Sequence, residues 1–131
     1  MTKSLIILPC FSFLISCFLS CKKTDNECVS FTKAPVTKVE GPNSGLVNQD
    51  INLTVYFTCF NSCGQFGNIE QNSWNDTVII NVNAKYKGCA CLDVLLSREI
   101  TYQFKSIKAG IYYLKFWQDE KSYLVDTIII Q

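Results

Sequence analysis

The chain has no histidine in its 131 residues. That one absence removes the commonest general base and the commonest metal ligand together. Neither a serine triad nor a Cys-His dyad can be assembled, and no motif supports a Ser-Lys substitute. A Gly-rich phosphate loop, a paired-carboxylate motif and a serine-nucleophile elbow are missing too. The expectation is a protein that is not an enzyme and uses no cofactor. Runs of like charge are also lacking: lysines and acids are interspersed, and the formal net charge is +1. That argues against nucleic acid or an anionic surface as partner. No stretch has convincing helical periodicity, and the length leaves room for one domain.

Cysteine is what the chain has in excess, with eight. So many in a short chain point to an oxidising compartment, where they can staple a small fold. The first residues point the same way. Lys3 is a short positive segment, followed by an uncharged apolar run from Leu5 to Leu19. The run is short for a membrane span and Pro9 would disturb a helix, so it reads as the core of an export signal. It ends in Phe18-Leu19-Ser20-Cys21, after which the chain turns polar at Lys22-Lys23-Thr24-Asp25-Asn26-Glu27.

That junction resembles the lipobox of bacterial lipoproteins: an apolar stretch, a small residue, then cysteine. The resemblance implies cleavage just before Cys21 and diacylglyceryl transfer to its thiol. Palmitate-type chains would then hold the protein to the outer membrane of the cell envelope, on the periplasmic side or at the cell surface. Two or more acyl chains make a stable anchor where one is marginal. Leu14-Ile15-Ser16-Cys17 is a competing match, but processing at Cys17 would leave Phe18 and Leu19 as an apolar stub. Cys21 is therefore preferred. Ser-Cys-Lys-Lys followed by acids is similar to lipoproteins of the Bacteroidota, some of which are displayed on the cell surface. The expected plan is a signal peptide over 1–20, a lipidated N-terminus and flexible tether over 21–33, and a folded domain over 34–131.

In the folded part, β-rich runs alternate with turn clusters about every ten residues. Strands are expected at Val36 to Glu40, Ile51 to Cys59, about Phe66 to Gln71, Thr77 to Lys87, Glu99 to Lys105, Ile111 to Trp117 and Tyr123 to Ile130. Alternation turns Ile51, Leu53, Val55 and Phe57 inward, and likewise Val78, Ile80, Val82, Ala84 and Tyr86. Ile100, Tyr102 and Phe104 follow the same pattern. Seven such antiparallel strands predict an all-β, immunoglobulin-like sandwich. Ala109-Gly110-Ile111-Tyr112 resembles the entry to the sixth strand of bacterial immunoglobulin-like domains. That likeness makes Tyr112 the candidate tyrosine corner, with Leu114 and Phe116 inward. Trp74 and Trp117, at a turn and near a strand end, are expected to cap the rim of the core rather than contact a ligand or glycan. Three blocks resemble a group of small Bacteroidota lipoproteins without an assigned activity: Lys33 to Pro42, Cys59 to Gly67 and Ala84 to Cys91. The likeness supports fold and location and implies no mechanism.

Cys10 and Cys17 leave with the signal and Cys21 takes lipid, so Cys28, Cys59, Cys63, Cys89 and Cys91 remain. Strand directions bring the loops with Cys59/Cys63 and Cys89/Cys91 to one end. A C-x-C pair rarely bonds to itself, so two bridges are expected to cross between the loops, as Cys59–Cys91 with Cys63–Cys89 or the reverse. The alternative is a four-thiolate metal site on Cys59, Cys63, Cys89 and Cys91. Cys28 lies in the tether, where it would be free, link two molecules into a dimer, or take one of those partners. Asp76-Thr77-Val78 and Asp126-Thr127-Ile128 fit the Asp-Thr-apolar pattern that resembles the O-glycosylation site of exported Bacteroidota proteins, which makes Thr77 and Thr127 candidates.

The functional expectation is a membrane-anchored, non-catalytic binding or interaction module, for a partner protein or glycan. A structural envelope protein without a small ligand, or a metal-handling protein, is the alternative. The tether would bring the cysteine end near the membrane, with the Gly41–Gly45 turn and the Tyr112 corner pointing away.

Overall fold

The computed structural model describes residues 28–131, so the signal, Cys17, Cys21 and the start of the tether lie outside the described residues. Nine strands form two sheets, with no helix among the described residues. They are β1 (Val29–Ala34), β2 (Val36–Glu40), β3 (Ser44–Gly45), β4 (Ile51–Cys59), β5 (Gly64–Trp74), β6 (Thr77–Lys87), β7 (Leu96–Phe104), β8 (Gly110–Trp117) and β9 (Tyr123–Ile130). The chain is the β-sandwich that its alternation predicts.

The smaller sheet runs β2-β4-β7 and is antiparallel throughout. Among the seven strands expected from the sequence these are the first, second and fifth, three of the four that one sheet of an immunoglobulin-like sandwich groups. The larger sheet is organised around β6. One edge of β6 takes β5 in a hairpin closed by Asn75 and Asp76, with Asn75 in the left-handed region (φ 51) that asparagine tolerates. The other edge is shared end to end. β8 lies parallel to Thr77–Ile80, and β1 antiparallel to Val82–Lys87. β9 and the short β3 extend the sheet beyond β8.

Two features depart from seven antiparallel strands. β6 pairs β8 in parallel, and β3 adds a second parallel pairing to β9. The tether boundary also moves. Residues 29–33, expected to be flexible, form most of β1, because their backbone completes the edge of β6 that β8 leaves open. At Pro35 the chain passes from one sheet to the other. Ala34 and Val36 are both fully buried, and the Pro35 carbonyl accepts the Thr58 amide at 3.0 Å.

Period-two burial builds the core. Ile51, Leu53, Val55, Phe57 and Cys59 line the inner side of β4; Val78, Ile80, Val82, Ala84 and Tyr86 line that of β6. Tyr102, Phe104, Leu114, Phe116, Ile128 and Ile130 complete it, while Ile100 is only partly buried against it. Each fully buried large side chain contributes about 1.5–3 kcal/mol. Where β7 approaches β5 at the side of the sandwich, the Tyr102 hydroxyl donates to Gln71 Oε1 at 2.9 Å and Arg98 Nε donates to the Gly64 carbonyl at 3.2 Å. Burial pushes the Tyr102 phenol up to about 12, so it stays a neutral donor.

At the end opposite the cysteines, Tyr112 closes a corner. Its hydroxyl donates to the Lys108 carbonyl at 3.0 Å and accepts from Ser106 Oγ at 2.6 Å, while Ser106 Oγ accepts the Lys108 amide at 3.1 Å. This is the hydroxyl-to-upstream-backbone bond that defines a tyrosine corner. Tyr112→Phe removes it and leaves the Ser106 hydroxyl without that acceptor. The expected cost is about 1 kcal/mol, read as a lower urea midpoint at unchanged slope.

Candidate functional site

Two regions of the surface stand out once the core is accounted for. The first is the cysteine end. Cys28 bonds Cys89 and Cys63 bonds Cys91, with Cα separations of 5.0 and 5.6 Å. Backbone bonds reinforce both. The Gly88 amide donates to the Cys28 carbonyl at 2.9 Å, and the Ser62 amide donates to the Leu92 carbonyl at 3.0 Å. Gly88 is required here. Its φ of 140° is one that side chains rarely adopt, and a Cβ would sit 2.9 Å from Cys63 Sγ.

The two cysteine loops do meet at one end, as strand direction predicts, and Cys63–Cys91 belongs to one of the two expected pairings. The rest is corrected. Cys59 is no staple: it is the last inward residue of β4, fully buried and free. Burial pushes its thiol up, against the opposing pull of the Arg98 guanidinium. Cys28 takes its place, because β1 delivers it beside Gly88 and Cys89. In this pairing Cys28 bonds within the chain rather than to a second molecule. Three of the four thiolates needed for the metal alternative are likewise consumed.

The second region is the outer face of the larger sheet. The register sets four residues in one row across four strands: Trp74, Thr77, Tyr113 and Thr127. Neighbouring strands are about 4.8 Å apart. Adjoining rows present Ile111 beside Ile129, then Asn72, Ile79, Lys115 and Val125, and then Trp117 beside Tyr123. Trp74 is 79% exposed, and Ile111, Tyr113, Tyr123, Val125 and Ile129 are all exposed large apolar side chains. The rim-capping role expected of Trp74 is therefore wrong, since most of its surface is open to solvent. Trp117 is half-buried on the same face, under the Lys33 ammonium at 5.7 Å from the ring centroid.

Thr77 and Thr127, far apart in sequence, flank Tyr113 in a single row. Thr127 is exposed and Thr77 partly so. The Asp126 carboxylate accepts the Thr127 amide at 3.0 Å, while partial burial raises its pKa.

Sequence reasoning missed this face. The signal was available in the two C-terminal strands. Ile111-Tyr112-Tyr113-Leu114 and Ile128-Ile129-Ile130 are apolar without interruption, so residues on both sides of the sheet are apolar while only one side packs on the core.

A family model described as the ORF11 beta-sandwich domain matches residues 53–125, more than half of the 131 residues. The match runs from within β4 to within β9 and takes in Cys59, Cys63, Cys89 and Cys91, but not Cys28. No curated protein and no solved structure matches the chain.

Proposed function

The chain belongs to the ORF11 beta-sandwich family, and from that premise we propose that it is an exported, non-catalytic binding module. In this reading Cys21 carries the lipid that holds it at the cell envelope, and the outer face of the larger sheet meets its partner. One observation carries the proposal. The exposed row and its neighbours gather Trp74, Tyr113, Ile111, Ile129, Val125 and Tyr123 on one side of a sheet whose other side already has a complete core. Single exposed apolar residues need no explanation, whereas a contiguous set marks an interaction surface. Aromatic residues concentrate at such surfaces because they offer large area at low cost in rotamer entropy.

The chemistry favours a protein partner over a glycan. Ile79, Ile111, Val125 and Ile129 lie among the rings and offer no hydrogen bond to a sugar's hydroxyls, while an apolar protein surface can pack on them. The lipid anchor is supported by the Ser20-Cys21 junction and the polar residues that follow it in the sequence.

A photo-reactive phenylalanine analogue in place of Tyr113 tests the face in intact cells. A discrete protein adduct is expected, abolished when Trp74→Ala is added, while the same probe in place of Gln103 on the smaller sheet yields none. Equal labelling from both positions, or none from Tyr113, contradicts the proposal. A glycan adduct from Tyr113 keeps the face and changes the partner.

A further inference from the structure

We infer that the cysteine end is itself a membrane-contacting tip, with Phe60, Leu92, Val94 and Leu95 seated in the outer part of the bilayer to which Cys21 is anchored. The inference rests on the lipid anchor proposed above and adds a second, non-covalent contact.

Leu92 and Leu95 are 74% and 69% exposed, and Val94 and Phe60 are also exposed. They belong to two loops that cannot separate. Cys63–Cys91 joins the loops, and the Leu92 amide donates to Ser62 Oγ at 2.8 Å while the Leu92 carbonyl accepts the Ser62 amide. Leu92 and Phe60 are therefore held at one end on a rigid base. Between Leu92 and Leu95 the only charged residue is Asp93.

What covers this tip follows from where the chain enters. Cys28 is bonded to Cys89 in the same loop, so the N-terminal segment leaves the sandwich among these side chains. From Cys21 to Cys28 is seven residues, at most about 25 Å when fully extended. A lipid on Cys21 thus keeps the loops within about one domain diameter of the headgroups, at an effective concentration that makes weak apolar partitioning effective. Side chains of this kind bury about 5–10 Å into the interface between headgroups and acyl chains. The recognition face lies on the flank of the sandwich and stays open to a partner.

The test uses the full lipidated protein in vesicles whose phospholipids are brominated on the acyl chains. Leu95→Trp and Ile107→Trp are compared, each with Trp74→Phe and Trp117→Phe so that one indole reports. Ile107 is equally exposed at the Tyr112 end. Loss of most of the emission from the Leu95→Trp protein, with none from the Ile107→Trp protein, is expected. Amide exchange of residues 92–95 in the unaltered protein provides a second reading and should slow several-fold on reconstitution. If the protein floats with the vesicles but neither indole is quenched and exchange is unchanged, the tip is overturned and the anchor stands. If it does not float and takes up no acyl label, the anchor fails and the tip fails with it.

Discussion

Replacing Cys28 and Cys89 together by alanine is expected to cost roughly 4 kcal/mol of stability. The bridge closes a sequence separation of 61 residues, and in the chain-entropy model a loop of that size restricts the unfolded chain by about that amount. Cys63–Cys91, across 28 residues, is worth roughly 3.5 kcal/mol by the same relation. Small domains have a total stability of about 5–15 kcal/mol, so losing both bridges should leave little folded protein at 37 °C. The effect has a direction along the chain. β1 makes its ladder only with β6, at the edge of the sheet, and Cys28 ties its first residue down. Without the bridge, amide exchange should rise first across Val29–Ala34 and only later in β4 or β6. Thiol counting checks the pairing itself. Of the five cysteines from Cys28 onward, the unreduced protein should expose one to alkylation, Cys59, and only after denaturation, because its thiol is buried in the core. Labelling of Cys28 without reductant contradicts the pairing.

Phe116→Ala should cost as much by a different route. The ring is fully buried near the C-terminal end of β8 and meets Tyr102 edge to face, with centroids 5.7 Å apart and planes at 86°. Removing it forfeits the transfer free energy of the ring and leaves a cavity lined by residues from both sheets, about 3–5 kcal/mol in all. At about 4 °C or more per kcal/mol for a domain of this size, the thermal midpoint should fall by at least about 12 °C. Trp74→Ala is the contrasting variant. Its side chain packs on nothing that the core needs, so stability should stay within about 0.5 kcal/mol of the parent while the Tyr113 adduct disappears. A Trp74→Ala protein that unfolds like Phe116→Ala would mean that the outer face is structural.

Most of the sandwich is legible in the sequence where one face is buried and the other wet. Ile51–Cys59, Thr77–Lys87 and Tyr123–Ile130 begin and end where alternation and turn residues say they do. The Tyr112 corner is legible because a glycine entry precedes it by two residues. β1 is not, and the reason is physical. Its large apolar residues, Val29 and Phe31, point outward, so Val-Ser-Phe-Thr-Lys-Ala carries no core-facing signature until Ala34. Missing β1 is also what displaces Cys28 into a tether and forces Cys59 into a bridge. Cys59 was readable all the same. It continues the inward series Ile51, Leu53, Val55, Phe57, and period two alone turns its thiol into the core. The parallel pairing of β6 with β8 is a tertiary choice that no local pattern encodes. It arises because β1 covers only the second half of an eleven-residue strand.

The eight cysteines of this chain thus divide by role: four in bridges, one in the core, and three in the first twenty-one residues. Everything proposed about where the protein works depends on Cys21 among the last three. Growth with labelled palmitate, comparing the wild-type chain with Cys21→Ala, tests this most directly. The account predicts label on the wild type that floats with membranes, and loss of both in Cys21→Ala. An unlabelled wild type, or label that survives in Cys21→Ala and vanishes in Cys17→Ala, contradicts it.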